Sequence, residues 1–399
     1  MQDTVGVAVI GAGMAGRAHA YGYRSAQTVF GAGLAGVRLV AIADLNGEVA
    51  ADTARRYGFE RAETSWQAVA EASDIDVVSV VVANHLHREI VEELLARGKH
   101  VLCEKPLAPS TEDAVAMIKA AERSSALARV GFTFRFAPGV RAIAEMVRSG
   151  DLGAPLHFNG HYWADYGSDP KAPMAWRYRG GPGSGALADV GSHIADMAEF
   201  VCGPMASVGG ANLTTRVATR PVPLGHVTGH QQTEVGDEVA AVENDDEANY
   251  SVRFASGATG AIAVSRVAFG HPNTPGFQLF CERGTVVFDA RTPSEIWVAD
   301  DRVSGENNGF RRVHLGPAHP LVGGGMPFDG ASIGFGHNDS FVFQARAFLD
   351  EVQGRSELPA CMPLDHGLHN LRIQQAVVEA AETGSTAEVA AASISAEVS

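Results

Sequence analysis

The stretch VIGAGMAG, residues 9–16, follows a short apolar run and opens a segment with helical periodicity. Its glycines, Gly11, Gly13 and Gly16, have the spacing G-x-G-x-x-G. Between a strand and a helix, the first glycine permits a tight turn, the second lets phosphates approach the backbone, and the third lets the helix pack on the sheet. Glycine is frequent in this chain, so the spacing gains meaning only from the elements around it.

Strand-like and helical patterns alternate along the first third of the chain. Apolar runs rich in β-branched residues predict strands at residues 5–10, 37–43, 77–82, 100–103 and 128–132. Helical patterns lie between them, at residues 14–24, 47–57, 87–97 and 111–124. Such alternation implies right-handed crossovers and a parallel sheet. We therefore predict an α/β fold with a doubly wound, dinucleotide-binding Rossmann domain over residues 1–134.

The pattern changes after a linker at residues 134–138. Strand runs then dominate, and the predicted elements are helix 138–149, strands 156–163, 248–254, 259–267, 277–281 and 284–289, and helices 339–351 and 365–382. They predict a C-terminal α+β domain over residues 135–384 with an open, mostly antiparallel sheet. The last helix is placed so that it can also pack on the first domain. The tail, residues 385–399, is expected to fray.

Two irregular stretches stand out in this second half. The acidic run at residues 243–247 lacks the spacing of a calcium-binding loop, so it is interpreted as a solvated turn. Residues 317–336 are rich in glycine and proline, and we expect them to cover a site.

Composition limits the possible partners. The 399-residue chain is 46% hydrophobic, and its net charge of −15 argues against a nucleic-acid surface or docking on a membrane. Four dispersed cysteines without C-x-x-C spacing, and a start without signal-peptide character, indicate a reduced, cytoplasmic protein. No apolar run reaches the ~20 residues that span a bilayer. No metal site is expected, because His, Cys and carboxylate residues do not converge in the sequence.

Asp44 ends the second predicted strand, where dinucleotide-binding domains place the acidic residue that contacts the adenosine ribose. Its carboxylate can accept hydrogen bonds from both ribose hydroxyls and would repel a 2′-phosphate. The following Leu45 and Asn46 supply no arginine for such a phosphate. The sequence therefore favours NAD over NADP, with Met14 and Ala15 at the helix end that faces the pyrophosphate.

Three further stretches carry candidate chemistry: VVVANHLHRE (residues 80–89), CEKPL (residues 103–107) and GALADVGSHIAD (residues 185–196). Asp189 and His193 are spaced i, i+4, so on a helix they share one face, where the carboxylate stabilises a protonated imidazole. His193 is then suited to accept a hydroxyl proton, and Lys105 to donate to the same oxygen. Taken singly, a lysine before a proline is usually a surface residue, and an Asp–His pair is usually a surface pair.

From residue 5 to about residue 382, the chain resembles the family of glucose–fructose oxidoreductases, inositol dehydrogenases and rhizopine-catabolism oxidoreductases (Gfo/Idh/MocA). The similarity lies in Glu-Lys-Pro followed at a distance by Asp-x-Gly-x-His-x-x-Asp, in Asn84 with His87, in Arg135-Phe136 before Pro138, and in Trp176-Arg177. It implies a Rossmann domain, an open-faced sheet domain and oxidation of a sugar or cyclitol hydroxyl with a nicotinamide cofactor. It also implies a homo-oligomer, a dimer or tetramer built through the open sheets. Lys105, Asp189 and His193 would form one catalytic site, with a cis peptide at Lys105–Pro106.

Further site residues follow from the resemblance. Beyond the glycine turn and Asp44, the expected cofactor contacts are Ala83, Asn84, His85, His87, Glu104, Lys105, Arg135, Trp176 and Arg177. The expected substrate contacts are Lys105, Arg135, Tyr162, Asp165, Arg177, Asp189 and His193. Asp196 is interpreted as either a structural partner or a substrate ligand, and His366 and His369 as surface or packing residues.

Three functions remain open on the sequence. The first is an NAD-dependent dehydrogenase acting on a ring hydroxyl of a sugar, anhydrosugar, glycoside or inositol. The stretch GPAHP, residues 316–320, is similar to family members that oxidise an anhydrosugar, which favours C3 of a glucose-like ring such as levoglucosan. The second is an oxidoreductase whose bound cofactor cycles between two sugars, or which forms a 3-keto intermediate in glycoside cleavage. The third is a non-catalytic NAD-binding sensor, which the retained Lys105, Asp189 and His193 disfavour.

Overall fold

The computed structural model describes residues 4–31, 34, 36–225, 233–303 and 305–390. The helices are α1 (Met14–Ala26), α2 (Gly47–Tyr57), α3 (Trp66–Glu71), α4 (His87–Ala96), α5 (Thr111–Glu122), α6 (Pro138–Arg148), α7 (Ser192–Cys202), α8 (His337–Val352) and α9 (Leu364–Thr383). The strands are β1 (Thr4–Ile10), β2 (Gly36–Ala43), β3 (Arg61–Glu63), β4 (Val77–Val80), β5 (His100–Glu104), β6 (Ala128–Gly131), β7 (Pro155–Trp163), β8 (Met205–Thr214), β9 (Thr219–Pro223), β10 (Val235–Ala241), β11 (Glu247–Phe254), β12 (Thr259–Ser265), β13 (Thr274–Cys281), β14 (Gly284–Asp289), β15 (Glu295–Asp300), β16 (Arg311–His314), β17 (Met362–Pro363) and β18 (Ala387–Glu388).

The first sheet has seven strands in the order β17-β6-β5-β4-β1-β2-β3. Six of them are parallel, and β17 alone pairs with β6 in the antiparallel sense. The chain winds outward from β1 through β2 and β3, and it continues on the other side of β1 through β4, β5 and β6. The carboxyl ends of β1 and β4 therefore flank the crevice where doubly wound sheets bind ligands. The predicted parallel Rossmann sheet is confirmed.

The second sheet has nine strands in the order β16-β15-β14-β13-β7-β12-β11-β8-β18. Only β7 and β12 pair in parallel; the other neighbours are antiparallel. One face packs against α6 and α7 and buries the large apolar side chains of alternate positions, among them Phe158, Phe277 and Phe288. The predicted open, mostly antiparallel sheet is confirmed, and a separate two-stranded ribbon, β9 with β10, accompanies it.

Internal contacts divide the chain into two compact units. Unit 1 comprises residues 1–136, 316–368 and 392–399, and unit 2 comprises residues 137–315 and 369–391. The sequence prediction placed residues 316–368 in the second domain, and the contacts instead place them in unit 1. The reason is the packing of α8 on α1: a Cβ at Gly22 would lie 2.7 Å from the carbonyl oxygen of Phe341. The buried Arg346 of α8 also donates to the carbonyl oxygen of Val29.

Several smaller elements differ from the prediction. Strands β3, β8, β9, β10, β15 and β16 and helix α3 were not predicted, because short or glycine-interrupted segments such as SVGG in β8 lack a clear period. The tail was expected to fray from residue 385, yet β18 pairs with β8. Residues 391–399 of that tail lie outside the described residues. Among the helices of the described ranges, none is long and apolar enough to cross a bilayer.

Candidate active site

The glycine turn in unit 1 has the geometry that its spacing predicts. Gly11 has φ +102°, and a Cβ there would lie 2.1 Å from the carbonyl oxygen of Val81. A Cβ at Gly16 would lie 1.8 Å from the carbonyl oxygen of Gly11, so only glycine allows this approach of α1 to the turn. A Cβ at Gly13 would meet nothing within 4 Å. Open space beside an N-terminal helix end fits a pyrophosphate.

Asp44 lies where β2 ends and ties that end to the glycine turn. Its two oxygens accept one hydrogen bond each, from the backbone N–H of Ala12 and of Asn46, both at 2.9 Å. A carboxylate offers about four acceptor positions, so both oxygens keep capacity for ribose hydroxyls. Asn46 is occupied as the N-cap of α2, and Leu45 is exposed. These residues fit a dinucleotide whose adenosine ribose carries free hydroxyls.

The Glu-Lys-Pro motif lies at the end of β5. Glu104 is buried, Lys105 is partly exposed, and the Lys105–Pro106 peptide bond is cis, as the resemblance implied. Glu104 lies 2.9 Å from Nε2 of His19 on α1 and accepts the backbone N–H of Lys105 at 3.1 Å. Burial raises the pKa of Glu104, but the hydrogen bond with His19 and the charge of Lys105 outweigh it, so the pKa lies below its usual value. Glu104 is therefore an anion at neutral pH.

The segment after β4 was predicted to line the cofactor. Ala83 and Asn84 are half-buried and His85 is exposed. His87 is only 1% exposed, with its ring nitrogens 3.1 Å from the carbonyl oxygens of Val82 and Leu107. Burial lowers the pKa of His87, so the neutral ring donates to one carbonyl at a time. Its contacts join this segment to the Glu-Lys-Pro loop, which makes it a residue that holds the two segments together.

Two further groups of unit 1 are the buried Arg135 and the partly exposed His337. Arg135 lies in a short helical turn, Thr133–Phe136, with its guanidinium 3.1 Å from Nε2 of His366. His337 begins α8 and stacks on Phe134 with ring centroids 4.6 Å apart. Burial lowers the pKa of His337 to about 4 against the opposing charge of Glu104, so it is neutral. The sequence pattern did not single out His19 or His337; the only hint for His19 was an imidazole on the apolar side of α1.

Unit 2 holds Asp189 and His193 on consecutive turns. Asp189 lies in a single π-helical turn, Leu187–Gly191, and His193 lies in the first turn of α7, which follows directly. The hydroxyl of Tyr166 donates to Oδ2 of Asp189 at 2.6 Å. Burial, and then the charge of Asp189, raise the pKa of Tyr166, so its hydroxyl remains a donor at alkaline pH. Tyr166 was not predicted from the sequence.

Unit 2 also holds other predicted substrate residues. Tyr162 is buried, its ring centroid is 5.9 Å from that of His193, and its hydroxyl donates to Asn273 at 2.6 Å. The guanidinium of Arg177 lies over the half-exposed ring of Trp176, 4.5 Å from its centroid. The remaining predicted residues have these positions: Asp165 is partly exposed, Asp196 is buried on α7, and His369 is buried 2.8 Å from Glu199.

The acidic run at residues 243–247 was predicted to be a solvated turn, and this prediction is wrong. Asn244, Asp245 and Asp246 are buried. The carboxylate of Asp245 accepts three backbone N–H groups, at 2.8, 3.1 and 2.8 Å, from Gly183, Gly185 and Leu187. These donors belong to the turn that leads into Asp189 and α7, and no regular structure satisfies them. The run therefore holds the backbone of the candidate catalytic residues.

The buried run also holds the segment of Arg177. Asn244 donates to the carbonyl oxygen of Arg177 at 3.0 Å, and so does Arg266 at 2.9 Å. Arg266 is fully buried and pairs with Asp246 at 2.8 Å. Within the described ranges, no group of three or more His, Cys, Asp or Glu residues is arranged to hold a metal ion.

Two family models cover most of the chain. Residues 5–132 match the model described as an oxidoreductase family with an NAD-binding Rossmann fold, and residues 140–287 match the model of the GFO/IDH/MocA C-terminal domain. The chain belongs to the Gfo/Idh/MocA oxidoreductase family, as its motifs predicted. It is an NAD(P)-dependent oxidoreductase, and its first domain is an NAD-binding Rossmann domain.

Among the relatives of this chain are dehydrogenases with named substrates. The levoglucosan dehydrogenase of Pseudarthrobacter phenanthrenivorans is 33% identical over 390 residues, 97% of this chain and 98% of the relative. A solved structure of levoglucosan dehydrogenase in complex with NADH and levoglucosan superposes with a TM-score of 0.87 at 32% identity, covering 97% of this chain and all of that one. An inositol 2-dehydrogenase of Saccharopolyspora erythraea is 37% identical over 154 residues, 38% of this chain and 43% of the relative.

Proposed function

We propose that the protein is an NAD-dependent dehydrogenase that oxidises a ring hydroxyl of a sugar, anhydrosugar, glycoside or inositol to the ketone. The C3 hydroxyl of a glucose-like ring, as in levoglucosan, is the first choice. The observation that carries this proposal is the similarity to levoglucosan dehydrogenase along 97% of the chain. The presence of Lys105, Asp189 and His193 at the family's motif positions supports it.

The roles of the residues follow from their chemistry. Bound NAD⁺ supplies the acceptor for the hydride that leaves the carbinol carbon. His193 accepts the hydroxyl proton, and Asp189 stabilises the resulting imidazolium. Lys105 donates a hydrogen bond to the same substrate oxygen as negative charge develops on it. Proton transfer by such groups contributes about 10²- to 10⁴-fold to a rate.

Tyr166 supports this chemistry from within unit 2. Its hydroxyl bond to Oδ2 of Asp189 orients the carboxylate. Because the pKa of Tyr166 is raised, the bond persists when the medium becomes alkaline. Besides Lys105, Asp189 and His193, the residues proposed to contact the sugar are Arg135, Tyr162, Asp165 and Arg177.

The cofactor is proposed to contact a defined set of residues. These are the glycine turn (Gly11, Gly13, Met14, Ala15 and Gly16), Asp44, Ala83, Asn84, His85, His87, Glu104, Lys105, Arg135, Trp176 and Arg177. Asp44 favours NAD, because a 2′-phosphate would place its negative charge beside a carboxylate.

The direct test is turnover. Purified protein is mixed with NAD⁺ and a panel of levoglucosan, glucose, a glucoside and myo-inositol, and formation of NADH is followed by its absorbance. The product is identified by NMR, which locates the new carbonyl. Turnover of at least one cyclic polyol is expected. Tight NADH binding without turnover of any of them would count against a dehydrogenase and favour a sensor.

We also propose a homo-oligomer, a dimer or tetramer, formed through the outer face of the nine-stranded sheet, and a cytoplasmic location. The outer face carries exposed aromatic side chains, Phe280 at 37% and Trp297 at 42% exposure. Burial of exposed aromatic side chains of an open sheet in a subunit interface is energetically favourable. All four cysteines are buried thiols outside disulfide bonds, which suits a reducing compartment.

A further inference from the structure

A chain of buried polar groups leads from the middle of α1 to the Glu-Lys-Pro motif in unit 1. The hydroxyl of Tyr23 lies 2.9 Å from Oγ of Ser79, and that Oγ lies 3.0 Å from Nδ1 of His19. Nε2 of His19 lies 2.9 Å from Oε1 of Glu104, and Oε2 accepts the backbone N–H of Lys105. His19 and Glu104 are 2% and 9% exposed. The same helix begins at the glycine turn, so it links both cofactor elements.

The chain has a consistent direction of hydrogen bonding. An ionised Glu104 can only accept, so His19 donates from Nε2. In the neutral ring Nδ1 then accepts, and Ser79 donates to it. Tyr23 in turn donates to Ser79. Each hydrogen-bonding proton in this series of side chains therefore has one acceptor. The Glu104 oxygens keep acceptor capacity for a bound ligand.

The position of Glu104 leaves little freedom. A Cβ at Gly131, on the neighbouring strand β6, would lie 2.8 Å from its Oε1, so the carboxylate rests directly against backbone. With a fixed carboxylate, the direction of its free acceptor sites is set by the groups that hold it. The side chain of His19 forms a direct hydrogen bond with this carboxylate, at 2.9 Å.

We propose that His19 is a positioning residue that holds the Glu104 carboxylate as a hydrogen-bond acceptor for the bound dinucleotide. This rests on the proposed function only in requiring NAD binding. His19 itself does not touch the cofactor. It acts by supplying the hydrogen bond that keeps a buried carboxylate charged and oriented.

The charged and titratable groups around Glu104 support this role. They are His19 on α1, His87 on α4, Cys103 and Lys105 on β5 and its loop, and His337 on α8. Burial lowers the pKa of both His87 and His337 and raises that of Cys103, so these three are uncharged near neutral pH. Only His19 and Lys105 of this set offset the burial of the carboxylate, and His19 does so through a direct side-chain bond.

Two variants separate the hydrogen bond from the mere presence of a polar group. In His19→Gln the side-chain amide reaches the position of Nε2 and can donate to Glu104. In His19→Asn the amide reaches only the position of Nδ1, which keeps the contact with Ser79 and loses the one with Glu104. The two variants are thus matched in chemistry and differ in the bond that the proposal requires.

The measurement is the NADH dissociation constant, obtained from cofactor fluorescence without sugar, between about pH 6 and pH 8.5. In the wild type and in His19→Gln the constant is expected to stay flat, because Glu104 remains ionised. In His19→Asn burial is no longer offset by the bond, so the pKa of Glu104 rises. Binding then weakens as the pH falls through it, by roughly tenfold for each unit. Glu104→Gln should bind NADH weakly at every pH.

Several results would overturn the proposal. One is a flat, wild-type profile for His19→Asn; another is equal weakening in both variants, which would indicate a general packing role. A strongly pH-dependent wild type would also overturn it, and this measurement needs no variant. Wild-type protein that binds NADH and turns over no sugar would break the proposed function and leave this inference standing.

Discussion

The cofactor edge of unit 1 and the Asp189–His193 region of unit 2 are held in different ways. At the glycine turn of the first, local backbone sets the geometry, because β1 ends at Ile10 and α1 begins at Met14. The second is fixed by a buried cluster more than fifty residues further along the chain, at Asn244, Asp245 and Asp246. Local motifs place a ligand, whereas the residues that perform chemistry depend on distant polar contacts.

His193→Ala gives the largest expected effect and tests the catalytic side of the contrast. The loss of the proton acceptor should lower kcat by about 10²- to 10⁴-fold. NADH affinity should stay near the wild-type value, because His193 is not among the proposed cofactor contacts. Steady-state kinetics and fluorescence titration measure the two quantities. Lys105→Ala should lower kcat as well, and unchanged rates in both variants would remove the proposed mechanism.

Asp245→Ala tests whether the buried run supports unit 2. Three backbone N–H groups lose their acceptor, so the free energy of unfolding should fall by about 2–4 kcal/mol. Urea denaturation followed by circular dichroism measures it. Glu243→Gln is the control, since Glu243 is about half-exposed in its pair with Arg179 and should cost under about 1 kcal/mol. A similar loss of unfolding free energy in the two variants would mean that the acidic run behaves as an ordinary surface turn.

Tyr166→Phe sharpens the comparison at one hydrogen bond. Loss of the donor to the Asp189 carboxylate should lower kcat by roughly 10- to 100-fold, the value of a hydrogen bond to a charged group. Tyr162→Phe is the matched variant, because it removes a bond to the neutral Asn273 and should lower kcat less. Equal effects in stopped-flow measurements of NADH formation would show that Tyr166 does not act through Asp189.

Asp44→Asn is expected to have the smallest effect and probes the local side of the contrast. Removing the charge while keeping the shape should reduce the preference for NADH over NADPH by about tenfold, or about 1.4 kcal/mol. The ratio of the two dissociation constants, measured by fluorescence, reports it. A ratio that does not change would mean that Asp44 only ties β2 to the glycine turn.

The sequence predicted most of the features that depend on residues close together in the chain. Gly11, Gly13 and Gly16 are recognised by their spacing, Asp44 by its place at the end of a predicted strand, and apolar runs mark the parallel strands. Tyr166 and His19 could not be found in this way, because nothing in their neighbours indicates which distant carboxylate they contact. The acidic run was misinterpreted for the same reason: composition describes a charge, and only the fold shows that backbone N–H groups surround it.

Because residues 316–368 belong to unit 1, unit 1 cannot complete its folding early in synthesis on the ribosome. When residue 136 has been synthesised, the dinucleotide sheet still lacks β17, and α1 lacks α8. All of residues 137–315 must emerge before those parts exist. The domain that begins first is thus finished after most of the chain has left the exit tunnel, and a nascent chain cut at residue 315 would leave the side of α1 that carries Gly22 exposed to water.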